Sequence, residues 1–190
     1  MDNLLLQHAY LCGPIDDAQD LGVGWRKKLT PFLQSLGVIV LDPCNKPTDR
    51  GSEEHELHRE RDRLFRDKEY NRVTDIMSEV RKVDFQMLDG SNFLIVYLDL
   101  SKKMCGTWEE LFLANAQRKS ILVMCPQGKD KISPWLFAAL DHNLFFDDWD
   151  SVRNYLNTLN SIPKKDLLSQ GYERWRFLDL EEQTRNALGI

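Results

Sequence analysis

No stretch of this 190-residue chain approaches the roughly 20 consecutive apolar residues that a membrane span needs. A basic leader is missing too, because Asp2 stands where a secretory n-region would carry lysine or arginine. Both absences point to a cytoplasmic protein with no membrane partner. Nor is there an excess of positive charge: 25 Lys and Arg against 30 Asp and Glu leave a net charge of -5. The two signs are interspersed, so the electrostatic footprint of a nucleic-acid binder is lacking and a small molecule or a protein is the expected partner. Cysteines are few. Cys12, Cys44, Cys105 and Cys125 lie far apart, and no Cys or His pair has zinc-ligand spacing. They read as buried or semi-buried thiols of a reducing compartment, with a catalytic cysteine as the sharper alternative. No metal or organic cofactor is expected. No Gly-x-Gly-x-x-Gly follows the first strand, which argues against a dinucleotide-dependent dehydrogenase. No internal repeat or low-complexity tract is present.

What remains is 42% apolar, enough for the core of one domain. Apolar runs at 8–12, 38–41, 93–98, 121–125 and 144–146 read as short buried strands, and helical patterns lie between them. Trp25, Leu29, Phe32, Leu33 and Leu36 share one helical face, with a kink or break expected at Thr30-Pro31 and an end at Gly37. Residues 44–52 read as a polar loop. The charge run 53–72 reads as a solvated helical insertion, or a mobile lid or subunit contact, and a helix resumes over 73–88. Thr107 is the expected N-cap of a helix to about 119. Asp150 is the expected cap of another helix, whose Val152, Tyr155, Leu156 and Leu159 face the sheet. Strand-helix-strand spacing with right-handed crossovers implies a Rossmann-like or flavodoxin-like three-layer α/β sandwich of about five mostly parallel strands. This domain is expected to span 1–160. Residues 161–190 form a tail, helical at about 179–188, that packs on the domain or on a partner subunit.

The chemistry concentrates in residues 84–114, where a buried strand, a loop and a helix start follow one another. Ligands of open α/β sheets bind beyond the carboxyl ends of the strands, so Asp84, Asp99 and this helix start are expected to converge there. Glu109 and Glu110 both fall in the first helical turn, and the apolar residues around them do not say which one faces the cleft. At the first strand's end Gly13 lacks a side chain, which permits close backbone approach to a ligand. Arg50 is a candidate partner for an anionic substrate group, with a solvated loop arginine as the alternative. Trp25, Trp108 and Phe85 are candidates for the walls of a dry pocket, or for core.

The run Gly106-Thr107-Trp108-Glu109-Glu110-Leu111-Phe112-Leu113-Ala114 resembles the signature of the nucleoside 2-deoxyribosyltransferase family. That register implies Glu110 as the nucleophile and Asp84 as the carboxylate that engages the nucleobase. The resemblance extends to Tyr10-Leu11-Cys12-Gly13-Pro14-Ile15 in the first-strand loop, and to Asp42-Pro43 and Arg50-Gly51 in the second. It implies substrate contacts at Tyr10, Gly13, Pro14, Asp42, Arg50, Gly106 and Thr107, nucleosides or nucleotides and free bases as ligands, and a homo-oligomer. Met104 occupies the position of the family's second catalytic aspartate. The residues suit the chemistry in their own right: a carboxylate on one face of a sugar can trap an oxocarbenium-like centre, and a second carboxyl group can serve the leaving base. Three outcomes stay open: transfer of deoxyribose between bases, hydrolysis of nucleoside or 2'-deoxynucleoside 5'-monophosphates, and nucleotide binding without reaction.

Overall fold

A computed structural model describes residues 2–16, 18–46 and 55–180, the side chains of residues 55 and 56 excepted. Five strands, β1 (His8–Cys12), β2 (Ile39–Leu41), β3 (Phe93–Tyr97), β4 (Ser120–Met124) and β5 (Phe145–Phe146), form one sheet in the order β2-β1-β3-β4-β5. Every pairing is parallel, with Cys12 opposite Val96 and Tyr97 opposite Met124. A parallel sheet must be covered on both faces, which is why the two central strands β3 and β4 read as unbroken apolar runs.

Alternation along the strands sorts the side chains into two layers. Ala9, Leu11, Phe93, Ile95 and Leu122 point to one side, where α1 (Val23–Ser35) supplies Leu29 and Leu33 and α6 (Trp149–Ser161) supplies Val152, Leu156 and Leu159. Tyr10, Cys12, Leu94, Val96 and Val123 point to the other. There α3 (Tyr70–Asp89) contributes Met87 and Leu88, and α4 (Cys105–Ala116) contributes Leu111 and Ala114. A further helix, α2 (His55–Arg66), packs on α3, and the short α5 (Pro134–Ala139) precedes β5. None of these helices is long and apolar enough to cross a membrane.

Several local expectations are revised. The first helix runs through Pro31 without interruption. Pro31 and Lys27, whose carbonyl loses its donor, are both exposed, so water can take up the unmade bond. The strand at 38–41 is not buried on both faces: β2 is an edge strand and Ile39 is 40% exposed. The charge run does not form one helix, because it breaks between α2 and α3 at Lys68, which adopts a left-handed φ of 59°. Helix α4 begins two residues earlier than its expected cap, leaving Thr107 buried in the first turn and Met104 at the N-cap with no capping side chain. It ends at Ala116, short of 119. Asp148, not Asp150, caps α6, accepting from Ser151 N at 2.7 Å.

The tail is not an exposed appendage as far as residue 180. Trp175 is fully buried against Phe93, at a ring separation of 5.0 Å, and its indole N–H donates to Tyr155 Oη at 2.9 Å. Leu167 and Leu178 join the same core. Arg174 donates to Asn115 Oδ1 at 2.8 Å and to the Ala139 carbonyl at 3.1 Å. Most of the helix expected at 179–188 lies outside the described residues.

Candidate active site

Strand order reverses between β1 and β3, and α/β sheets place their ligands beyond the carboxyl ends of the strands at such a point. Because β1 alternates, Tyr10 and Cys12 project from the same face, toward the first turns of α4. There they meet Glu110. The Tyr10 hydroxyl donates to Glu110 Oε1 at 2.8 Å, and the Cys12 thiol donates to Oε2 at 3.0 Å. Cys12 Sγ also lies 3.6 Å from the Thr107 carbonyl oxygen.

The two glutamates left open by the sequence have different surroundings. Glu109 is exposed and accepts from Arg81 Nε at 3.0 Å on the outer surface of α3 and α4. Glu110 turns inward and is half-buried. Desolvation raises its carboxyl pKa from the ordinary 4.5 to about 7; the hydrogen bonds from Cys12 and Tyr10 work against that rise, and the charge of Asp84 adds to it. Burial and the neighbouring Glu110 also push the Tyr10 hydroxyl and the Cys12 thiol well up. Both groups therefore stay protonated as donors, and Cys12 is not set up as a thiolate nucleophile.

Asp84 is buried near the carboxyl-terminal end of α3. Lys46, from the loop after β2, places Nζ 2.9 Å from Asp84 Oδ1, with only 1% of the lysine side chain exposed. Desolvation raises the Asp84 pKa, and the hydrogen bond and charge of Lys46 oppose the rise. A buried carboxylate at the wrong end of a helix dipole thus has its compensation in a cation from another element. Sequence reasoning missed Lys46, which sits in a turn-rich loop with no periodicity to mark it.

Arg26 was missed as well, although it shares a helical face with Leu29 and Leu33. Its fully buried guanidinium donates to the carbonyls of Leu11 (3.2 Å), Gly13 (3.1 Å) and Gly22 (2.8 Å), and lies 3.4 Å from Asp42 Oδ1. These bonds fix the exit of β1 beside the Glu110 cluster. Asp42, expected at the site, is engaged here: burial raises its pKa while Arg26 and the Cys44 N–H draw it down.

Other expected residues are placed as follows. Gly13 is closely packed: a Cβ there would lie 3.0 Å from Trp25 Cζ2 and 3.2 Å from Tyr97 Cβ, so those side chains would have to give by a few tenths of an ångström. Pro14 is buried beneath Gly22, and Gly106 faces open space in the first turn of α4. Asp99 does not join Glu110; it accepts from Ser101 N at 3.0 Å and from Gln127 Nε2 at 2.6 Å in its own exposed loop. Met104 is buried in the apolar layer under α4. Trp25 belongs to the opposite face of the sheet, stacked on Trp149 at 5.3 Å, where with Tyr97 it lines a separate cleft of about 530 Å³. Phe85 packs under the Arg81 guanidinium, and Trp108 stacks on Phe112. Arg50 lies outside the described residues.

No protein-family model matches the chain, and no curated protein matches it. Among solved structures it is similar to a 2-deoxyribosyltransferase from the psychrotolerant bacterium Bacillus psychrosaccharolyticus, at 20% identity and a TM-score of 0.56, over 82% of this chain and 98% of that one. At that identity the likeness is one of architecture: the chain has the flavodoxin-like α/β fold of a 2-deoxyribosyltransferase.

Proposed function

We propose that the protein cleaves the N-glycosidic bond of a 2'-deoxynucleoside or its 5'-monophosphate and transfers the deoxyribose to a second base. The observation that carries this reading is the Glu110 carboxylate, half-buried at the carboxyl edge of the sheet and held by the Tyr10 hydroxyl and the Cys12 thiol. The similar solved structure is that of an enzyme described as a biocatalyst for the synthesis of antiviral and antitumoral nucleosides, which agrees with the reading.

In this mechanism a Glu110 oxygen attacks the anomeric carbon as the C–N bond breaks, and the bonding pair leaves on the base nitrogen. Asp84 serves the departing base, handing it a proton or holding its N–H groups. Its raised pKa suits the first role, and the Lys46 contact keeps the second open. A second base then attacks the anomeric carbon of the glycosyl ester, its N–H proton passing to Asp84, the ester C–O bond breaks, and the Glu110 carboxylate is regenerated. Two inversions give net retention of configuration. Tyr10 lines the sugar side, whereas Gly13, expected at a ligand-facing turn, presents its Cα to Trp25 and Tyr97.

Chromatography of the protein with deoxynucleosides or their 5'-monophosphates, with and without an acceptor base, tests the proposal. A new nucleoside is expected only when acceptor is present, and Glu110→Ala should lower its formation by roughly 10³-fold or more. Release of free base without acceptor would make the protein a hydrolase. Intact substrates with wild type and variant alike would overturn the catalytic reading and leave a nucleotide-binding module.

A further inference from the structure

We propose that Cys12 is a positioning residue for Glu110, its thiol holding Oε2 while Tyr10 holds Oε1, so that a single strand fixes both oxygens of the attacking carboxylate. The inference rests on Glu110 being the nucleophile, but the contact itself can be tested without any reaction.

Two residues on one strand face stand roughly 7 Å apart along the chain. A long side chain at position 10 and a short one at position 12 bring their donors to the two oxygens of one carboxyl group, 2.8 and 3.0 Å away. Both donors are fully buried, so no water competes for their hydrogens. The thiol has a single hydrogen and two acceptors in reach, Glu110 Oε2 and, at 3.6 Å, the Thr107 carbonyl. A charged carboxylate is the stronger acceptor and takes it. Once Glu110 is protonated or esterified, its oxygen accepts more weakly and the Thr107 carbonyl competes. The thiol thus favours the charged carboxylate and relaxes its hold when the charge is spent, with no bond to sulfur made or broken. The charged and titratable groups acting on Glu110 are Tyr10 and Cys12 from β1, Asp84 from α3, which opposes its charge, and Arg26 from α1, which favours it. Lys46 acts on this set through Asp84.

The direct test is infrared spectroscopy of the S–H stretch, as wild type minus Cys12→Ala, so that the other three thiols cancel. Titration from pH 5 to 9 is expected to move the Cys12 band to lower frequency as Glu110 ionises, and Glu110→Gln should abolish the movement. A band that stays in place, or one that moves equally in Glu110→Gln, overturns the proposal whether or not the protein turns over a nucleoside. Kinetics supply the second arm. Removing a donor to the charged form raises the pKa of Glu110, so Cys12→Ala should shift the acid limb of kcat/KM to higher pH and lower the rate at pH 6 by roughly ten-fold. Cys12→Ser should restore most of it. Profiles of both variants that coincide with wild type would overturn the proposal, whereas full activity in Glu110→Ala would overturn the nucleophile reading instead.

Discussion

At the scale of single residues, the inward turn of Glu110 costs the fold stability. An acid whose pKa is higher in the folded than in the unfolded state binds its proton more tightly when folded. Its favourable contribution is therefore full at low pH and is lost as pH rises from about 4.5 through about 7. That displacement corresponds to roughly 3 kcal/mol, which the partial exposure of the carboxylate reduces to about 2. Glu110→Gln is accordingly expected to melt several degrees above wild type at pH 8 and level with it at pH 4, while losing turnover; differential scanning calorimetry at the two pH values checks this. A variant that melts lower at both would show that burial of the charge is not what limits stability here. The choice between Glu109 and Glu110 was beyond composition and periodicity, since both sit in one helical turn. Resemblance of the surrounding run to a known signature favoured Glu110, and the structure gives each glutamate its surroundings: Arg81 for one, Tyr10 and Cys12 for the other.

Among the elements, the join between β1, α1 and β2 depends on Arg26, whose guanidinium reaches carbonyls of the β1 exit and of the α1 start as well as Asp42. Arg26→Ala would leave those acceptors without donors, at an expected cost of about 3–5 kcal/mol. A lower urea midpoint with an unchanged slope would be the signature, and Arg26→Lys should recover little, because an ammonium cannot span the same carbonyls. Strands and helices were readable in the sequence where periodicity was strong, as in Phe93 to Leu98 and the Trp25 to Leu36 face. Boundaries and special positions were not. Pro31 signals a break, but a proline on the solvent face of a helix loses only a bond that water replaces. Thr107 has the chemistry of an N-cap, yet the chain enters the helix at Cys105 and buries the threonine. Lys46 pairs with Asp84 across 38 positions of sequence, a distance at which no local pattern can announce a contact.

For the molecule as a whole, the described part of the segment after Pro163 contributes Leu167, Trp175 and Leu178 to the core. Trp175 fills the space between β3 and α6, and its replacement by alanine is expected to cost about 3–5 kcal/mol, read as a fall in the denaturation midpoint. The aromatic residues of this tail stood out in the sequence, but whether they covered this domain or another subunit depended on where the chain turned back. The carboxylate proposed to attack stands on α4 and is gripped by two side chains of β1, a strand paired on both edges. Asp84 answers instead to Lys46, which hangs from the loop after an edge strand. Connecting loops accept substitutions and insertions more readily than the strands they join. If the two carboxyl groups divide the work as proposed, descendants of this chain would inherit the sugar chemistry almost unaltered, while their taste in bases drifts with the composition of a single peripheral loop.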